Sequence, residues 1–196
     1  MFLFQIDDEL ALKHLELHDA NRLFQLTDQS RHHLRQWLPW VDGTNSTADS
    51  KAFIQSSLKA FSNRRALTTG ILYKSELAGV VAFNHLDWAN NAGQIGYWLG
   101  TPYQGNGIMI RAVSGLIDYG VYSLALNRIE IRAAVANTKS RAIPERLRFV
   151  QEGQLRQAEQ LHASYTDHAL YGMLASEWKQ LRPNHASNYH PAFHKT

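Results

Sequence analysis

The stretch YQGNGIMIRAV, residues 103–113, sets two glycines around an asparagine immediately before an apolar helical pattern. Met109, Ala112, Val113, Leu116, Ile117 and Gly120 follow the i, i+3, i+4, i+7 rule, so a helix opens directly on the turn. GQIGYWLG, residues 93–100, precedes it and reads as a strand with Ile95, Tyr97 and Leu99 on one face. A glycine turn between strand and helix suits a phosphate, because the first helical N–H groups lack internal partners and the helix dipole adds positive potential. Two nucleotide motifs fail here. Gly100 and Gly105 have the outer spacing of a P-loop, but Asn106-Gly107 stands where Lys-Ser/Thr is required. Gly105 and Gly107 begin a dinucleotide fingerprint, whose third glycine position is Ile110.

Outward from this unit the chain alternates strands and helices. FLFQI and LALKHLEL read as two strands around an acidic turn, and Asp19 is placed to cap a helix carrying Leu23, Phe24 and Leu26. HHLRQWLPWV reads as a short helix stopped by Pro39, and a further helix from Thr47 or Asp49 carries Phe53, Ile54, Leu58 and Phe61 on one stripe. ALTTGILYK and LAGVVAFNHL form a hairpin about Ser75-Glu76. After the glycine turn and its helix come a strand over 127–135, a helix over 138–147 kinked by Pro144, and strands over 149–161 and 166–174. This order predicts one α+β domain over residues 1–181, with a right-handed crossover after the turn, and a loose tail over 182–196.

Composition narrows the function. The 196 residues are 44% hydrophobic and 19% charged, as in an ordinary globular protein, and a net charge of +3 gives no case for direct nucleic-acid binding. The basic excess, with a pI near 9.2, suits an anionic ligand. The absence of cysteine excludes a disulfide framework, a thiolate metal site and a cysteine nucleophile. His185, His190 and His194 sit in the polar tail and His32-His33 lack a partner cluster, so no metal is expected. No apolar run is long enough to span a bilayer and the first residues do not read as a secretory signal, so the expectation is a cytoplasmic protein without membrane contact.

Gln104-Gly105-Asn106-Gly107-Ile108-Met109 resembles the Arg/Gln-x-x-Gly-x-Gly/Ala signature of the GNAT acetyltransferases, with Met109 in place of the final small residue. IGYWLGTPYQGNGIM, NRIEIRAAVANTKSRAIPERLRF and GQLRQAEQLHASYTDHALYGML are together similar to the ribosomal-protein N-acetyltransferase (Rim-type) branch, in the right order. Arg148 stands where that branch commonly has glycine before phenylalanine. The resemblance implies a GNAT-like fold, a mixed and mostly antiparallel sheet with one splayed parallel pair, flanked by helices. Acetyl-CoA is the implied acetyl donor, its pyrophosphate held by the amides of Gln104, Gly105, Asn106, Gly107, Ile108 and Met109. Backbone groups near Trp98 and Leu99 would bond the pantetheine arm and the thioester oxygen.

The same resemblance assigns Asn137 to the pantetheine amides, although Asn137 or Thr138 also suits a helix N-cap. It assigns Ser140 as proton donor to the departing thiolate and Glu159 as general base, where an exposed strand carboxylate is the plain alternative. Trp37, Trp40 and Tyr165 are candidates for the acceptor groove, since aromatic planes suit a cationic amine, or else for packing. Direct attack by an amine requires no covalent enzyme intermediate. An α-amine of pKa ~7.8 is roughly 15% neutral at pH 7, against ~0.04% for a lysine of pKa ~10.4, which favours a protein N-terminus as acceptor. A small amine such as a polyamine, amino acid or antibiotic, a CoA-binding sensor without catalysis, and a homodimeric assembly are the readings left open.

Overall fold

The alternation of Val80 with Val81 and Phe83 along one strand sets two hydrophobic cores on opposite faces of a single sheet. Val80 packs with Leu15, Leu23, Leu26 and Ile54, whereas Val81 and Phe83 pack with Ile95, Ile108, Val113 and Leu116. The computed structural model describes residues 3–183; of the tail predicted over 182–196, Arg182 and Pro183 are described and the rest, with its histidines, lies outside the described residues. The strands are β1 (Leu3–Gln5), β2 (Leu10–His14), β3 (Leu67–Tyr73), β4 (Glu76–Asp87), β5 (Ala92–Leu99), β6 (Arg128–Ala134), β7 (Val150–Leu161) and β8 (Ser164–Leu174). They form one sheet of order β1-β2-β3-β4-β5-β6-β8-β7. Every neighbouring pair is antiparallel except β5 and β6. The expected α+β class, with one parallel pair in a mixed sheet, is what the chain adopts.

The helices are α1 (Ala20–Gln29), α2 (Arg31–Leu34), α3 (Thr47–Ser62), α4 (Ile108–Asp118), α5 (Thr138–Arg146) and α6 (Ala175–Leu181). α4 connects the parallel pair and buries Ile108, Ala112, Val113, Leu116 and Ile117 as its periodicity requires. α1 and α3 cover the other face. Trp178 of α6 is buried and donates its indole N–H to Asp118 Oδ1 at 2.7 Å, while Arg182 pairs with Asp118 Oδ2 at 2.9 Å.

Four local expectations are corrected. Asp19 does not cap α1 with its side chain; its carboxylate instead accepts from Lys13 Nζ and from the Glu16 amide, both at 2.8 Å, because a charged partner outcompetes the cap. α3 starts at Thr47 but is capped by Ser46, whose side chain accepts from the Asp49 amide. Of its predicted stripe, Ile54 is fully buried while Phe53 and Leu58 remain exposed. Pro39 does not merely stop a helix: it occupies the first turn of a 3-10 segment, Pro39–Gly43, where its missing N–H costs nothing. The β3–β4 hairpin turns on Lys74 and Ser75, both at positive φ, one residue earlier than predicted.

Candidate active site

The parallel register of β5 and β6 runs from Ala92 opposite Arg128 to Ile95 opposite Ile131 and then ends. Beyond it, β5 stays paired to β4 as far as Leu99, and β6 stays paired to β8 as far as Ala134. The two strands therefore diverge inside the sheet. A cavity of about 1180 Å³ begins in the gap and is lined by β5, the glycine turn, α5, the ends of β7 and β8, and the α2–α3 region.

At one end stands the glycine turn. Gly105 and Gly107 have φ of 82° and 67°, a left-handed conformation that explains why glycine is needed twice in three residues. Gly107 is the N-cap of α4 and supplies no side-chain cap, so the first amides of an 11-residue helix have no internal acceptor. Gln104, Gly105, Gly107, Ile108 and Met109 line the cavity. Asn106 does not: its side-chain amide donates to the Tyr103 and Gln104 carbonyls at 3.3 Å, bracing the turn from outside. The Met109 side chain joins the core, and a large residue is accommodated there for that reason.

Trp98 and Leu99 sit on the stretch of β5 whose β6-facing side is unpaired. Across the gap, Asn137 caps α5 by accepting from the Ser140 amide at 3.1 Å, so its carbonyl serves the helix while its amide N–H2 remains for a ligand. Ser140 lines the cavity. Its carbonyl would be the α5 acceptor for residue 144, but Pro144 has no N–H. Tyr97 fills that vacancy, donating its hydroxyl to the Ser140 carbonyl at 2.9 Å. Burial pushes the Tyr97 phenol well above its ordinary pKa and keeps it a donor. On sequence Tyr97 is one of three residues on a strand face; in the fold it is also a strut between the diverging elements.

The acidic residue lining the cavity is Glu159. Its rivals are engaged elsewhere: Arg128 bonds Glu130 at 2.9 Å and Glu152 at 2.8 Å. Glu159 reaches the cavity through an irregularity in β7. Leu155 is opposite His168 and Glu159 opposite Thr166, so four steps along β7 cover two along β8. Asp167 holds this bulge by accepting from the Gln157 amide at 2.8 Å and from Gln154 Nε2 at 2.6 Å. His168, missed in the sequence, lines the cavity and contacts Glu159 Oε2 through Nε2 at 3.1 Å. Only the register, which depends on the bulge, reveals that pair.

Trp37 and Trp40 line the cavity, and Trp40 lies 5.8 Å from Trp98 between ring centroids, at 52°. Phe53, displaced from the predicted core stripe, lines the same mouth. Tyr165 does not: it is 62% exposed near the β7–β8 hairpin tip. The tip itself, through His162 Nε2, meets the Arg35 carbonyl at 2.8 Å and so joins the tryptophan-bearing segment. His33 also faces the cavity, its pKa held below the ordinary histidine value by burial first and by the Lys139 charge second. Among the described residues there is no group of three or more metal-ligating side chains, and no helix is long and apolar enough to cross a membrane.

Residues 9–150 match the family profile described as an acetyltransferase (GNAT) domain. The ribosomal-protein-serine acetyltransferase of Escherichia coli is 31% identical over 170 residues, 87% of this chain and 95% of its own length. Among solved structures, the microcin C7 self-immunity acetyltransferase MccE in complex with acetyl-CoA and AMP is 36% identical with a TM-score of 0.83, covering 86% of this chain and 94% of that one. The ribosomal L7/L12 α-N-protein acetyltransferase RimL in complex with coenzyme A is 28% identical with a TM-score of 0.86, covering 90% and 99%.

Proposed function

Because this chain belongs to the GNAT acetyltransferase family, we propose that it transfers the acetyl group of acetyl-CoA to the N-terminal α-amine of a ribosomal protein, in the cytoplasm. The observation that carries the reading is one cavity lined both by an uncapped helix N-terminus with two left-handed glycines and by Glu159. The residues fit the donor. The amides of residues 104–109, around the two left-handed glycines and the open N-terminus of α4, would serve a compact polyanion, and the unpaired edge of β5 at Trp98 and Leu99 offers peptide groups to an amide-bearing arm. Asn137 faces that arm from α5.

Acetyl-CoA supplies an activated acyl group; the chain supplies proton management. Glu159 takes a proton from the attacking amine, directly or through one water, as the new C–N bond forms. As the C–S bond breaks, the Ser140 hydroxyl would give its proton to the sulfur and be reprotonated from solvent, to which Glu159 returns the amine proton. Trp37, Trp40 and Phe53 wall the acceptor side with aromatic faces suited to an amine that arrives partly protonated. Tyr165 is withdrawn from that role by its position.

The test is an intact-mass screen with acetyl-CoA and peptides beginning in serine or alanine, beside polyamines, amino acids and aminoacyl nucleotides. Acetylated peptide N-termini with unmodified small amines support the proposal; the reverse pattern overturns the acceptor. A small-molecule acceptor has one observation in its favour: the similar MccE structure is a complex with AMP as well as acetyl-CoA. Glu159→Gln is expected to lower kcat by about 10²–10⁴-fold, the usual worth of a general base, with the KM for acetyl-CoA unchanged. Unchanged turnover would remove Glu159 from the chemistry.

A further inference from the structure

We infer that His168 is a positioning residue for this transfer, orienting the Glu159 carboxylate toward the acceptor by donating its Nε2–H to one carboxylate oxygen. The inference rests on the reading of Glu159 as the base. Its geometric ground is the 3.1 Å contact between His168 Nε2 and Glu159 Oε2, made inside the cavity by a side chain only 16% exposed.

The chemistry fixes the hydrogen. A base must begin as a carboxylate, which carries no hydrogen of its own. The 3.1 Å contact therefore requires the hydrogen on Nε2, whether the imidazole is the neutral Nε2–H form or the cation. With Oε2 so engaged, Oε1 is the oxygen left for the amine proton. No other hydrogen-bond donor to the Glu159 carboxylate is seen among the described residues, so without His168 the side chain is free to rotate away from the acceptor.

The backbone is arranged for this contact. A regular ladder would set Gln157 opposite Thr166; the two-residue bulge sets Glu159 there instead, one diagonal step from His168. Asp167, the neighbour of His168 on β8, clamps the bulge through two bonds. The bulge, its clamp and the imidazole thus serve one carboxylate.

A double-mutant cycle tests the inference, using an N-terminal serine peptide, or whichever acceptor the intact-mass screen identifies. His168→Ala is expected to lower kcat about 10- to 100-fold, part of what a general base supplies, with the dissociation constant for acetyl-CoA within about twofold of the parent. His168→Gln, which keeps an N–H donor, recovers most of the loss. In a Glu159→Gln background, His168→Ala costs little more, since the residue it serves is already gone. Independent multiplying losses, or no loss with His168→Ala while Glu159→Gln is impaired, overturn the inference. Normal turnover of Glu159→Gln removes instead the reading it rests on. A readout free of turnover is the 15N spectrum of the His168 ring in the full chain: Nε2–H is expected above neutral pH, and an Nδ1–H tautomer refutes the assignment.

Discussion

Arg148 offers a perturbation whose sign is opposite to that of most substitutions. α5 ends in two reverse-turn bonds, from the Phe149 amide to the Pro144 carbonyl at 2.9 Å and from the Arg148 amide to the Glu145 carbonyl at 3.1 Å. These are the paired bonds of a Schellman motif, and buried Phe149 and Pro144 occupy the two positions of its apolar pair. The motif requires a left-handed residue after the helix, and Arg148 occupies it at φ 64°. That conformation costs a non-glycine residue roughly 1–2 kcal/mol. Glycine removes the cost but loses about 0.5–1 kcal/mol through the freer unfolded chain. The exposed Arg148 side chain makes no ion pair or side-chain hydrogen bond among the described residues, so nothing else is forfeited. Arg148→Gly should therefore stabilise by about 0.5–1 kcal/mol, raising Tm by roughly 1–4 °C in a chain of this size. Thermal unfolding monitored by circular dichroism measures it, with Arg148→Ala as control. Alanine keeps the strain and should leave Tm near the parent value. Equal gains from glycine and alanine would refute the conformational account and point to the arginine charge.

Two further expectations concern the cavity. Tyr97→Phe removes the donor to the Ser140 carbonyl and should cost about 1–3 kcal/mol by denaturant unfolding, with lowered kcat. Adding Pro144→Ala restores a backbone N–H for that carbonyl, so the pair should recover stability; failure to recover places the tyrosine's contribution elsewhere. Gly107→Ala meets no steric obstacle, nothing lying within 4 Å of the added Cβ, but must hold φ 67°. A loss of roughly 1–2 kcal/mol, together with a smaller thermal shift on adding acetyl-CoA, is expected, and an unchanged shift would count against the turn as the anion cradle.

The glycine turn and its helix were legible because both rest on local chemistry: positive φ demands glycine, and burial of one face imposes the 3.6-residue period. The strand pattern was legible for the same reason. Registers were not. The pairing of Glu159 with His168 depends on a bulge set by Asp167, and nothing in RQAEQLHASYTDH announces two unpaired residues. Tyr97 and Pro144 read separately as a strand-face ring and a helix kink, because the carbonyl that unites them is 43 residues away from the tyrosine. Trp37 and Trp40 reached the cavity and Tyr165 did not, a difference decided by place in the fold, the segment between α2 and α3 against an exposed hairpin tip, rather than by residue type. Arg148 was legible as a departure from the glycine of similar sequences, yet its cost became visible only with its dihedral.

The place where β5 leaves β6 has a consequence for what can enter. An outer sheet edge is open to any extended chain, and proteins blunt it with charges, bulges or coverings. Here a second edge lies within the sheet, bounded by a partner strand on each side and by α5, with Tyr97 fixing its width. An intruding polypeptide would carry side chains on both faces, against the flanking strands and α5, whereas a thread of amides and methylenes carries none. Discrimination between an aggregating neighbour and a donor molecule then follows from girth, before any side chain is consulted.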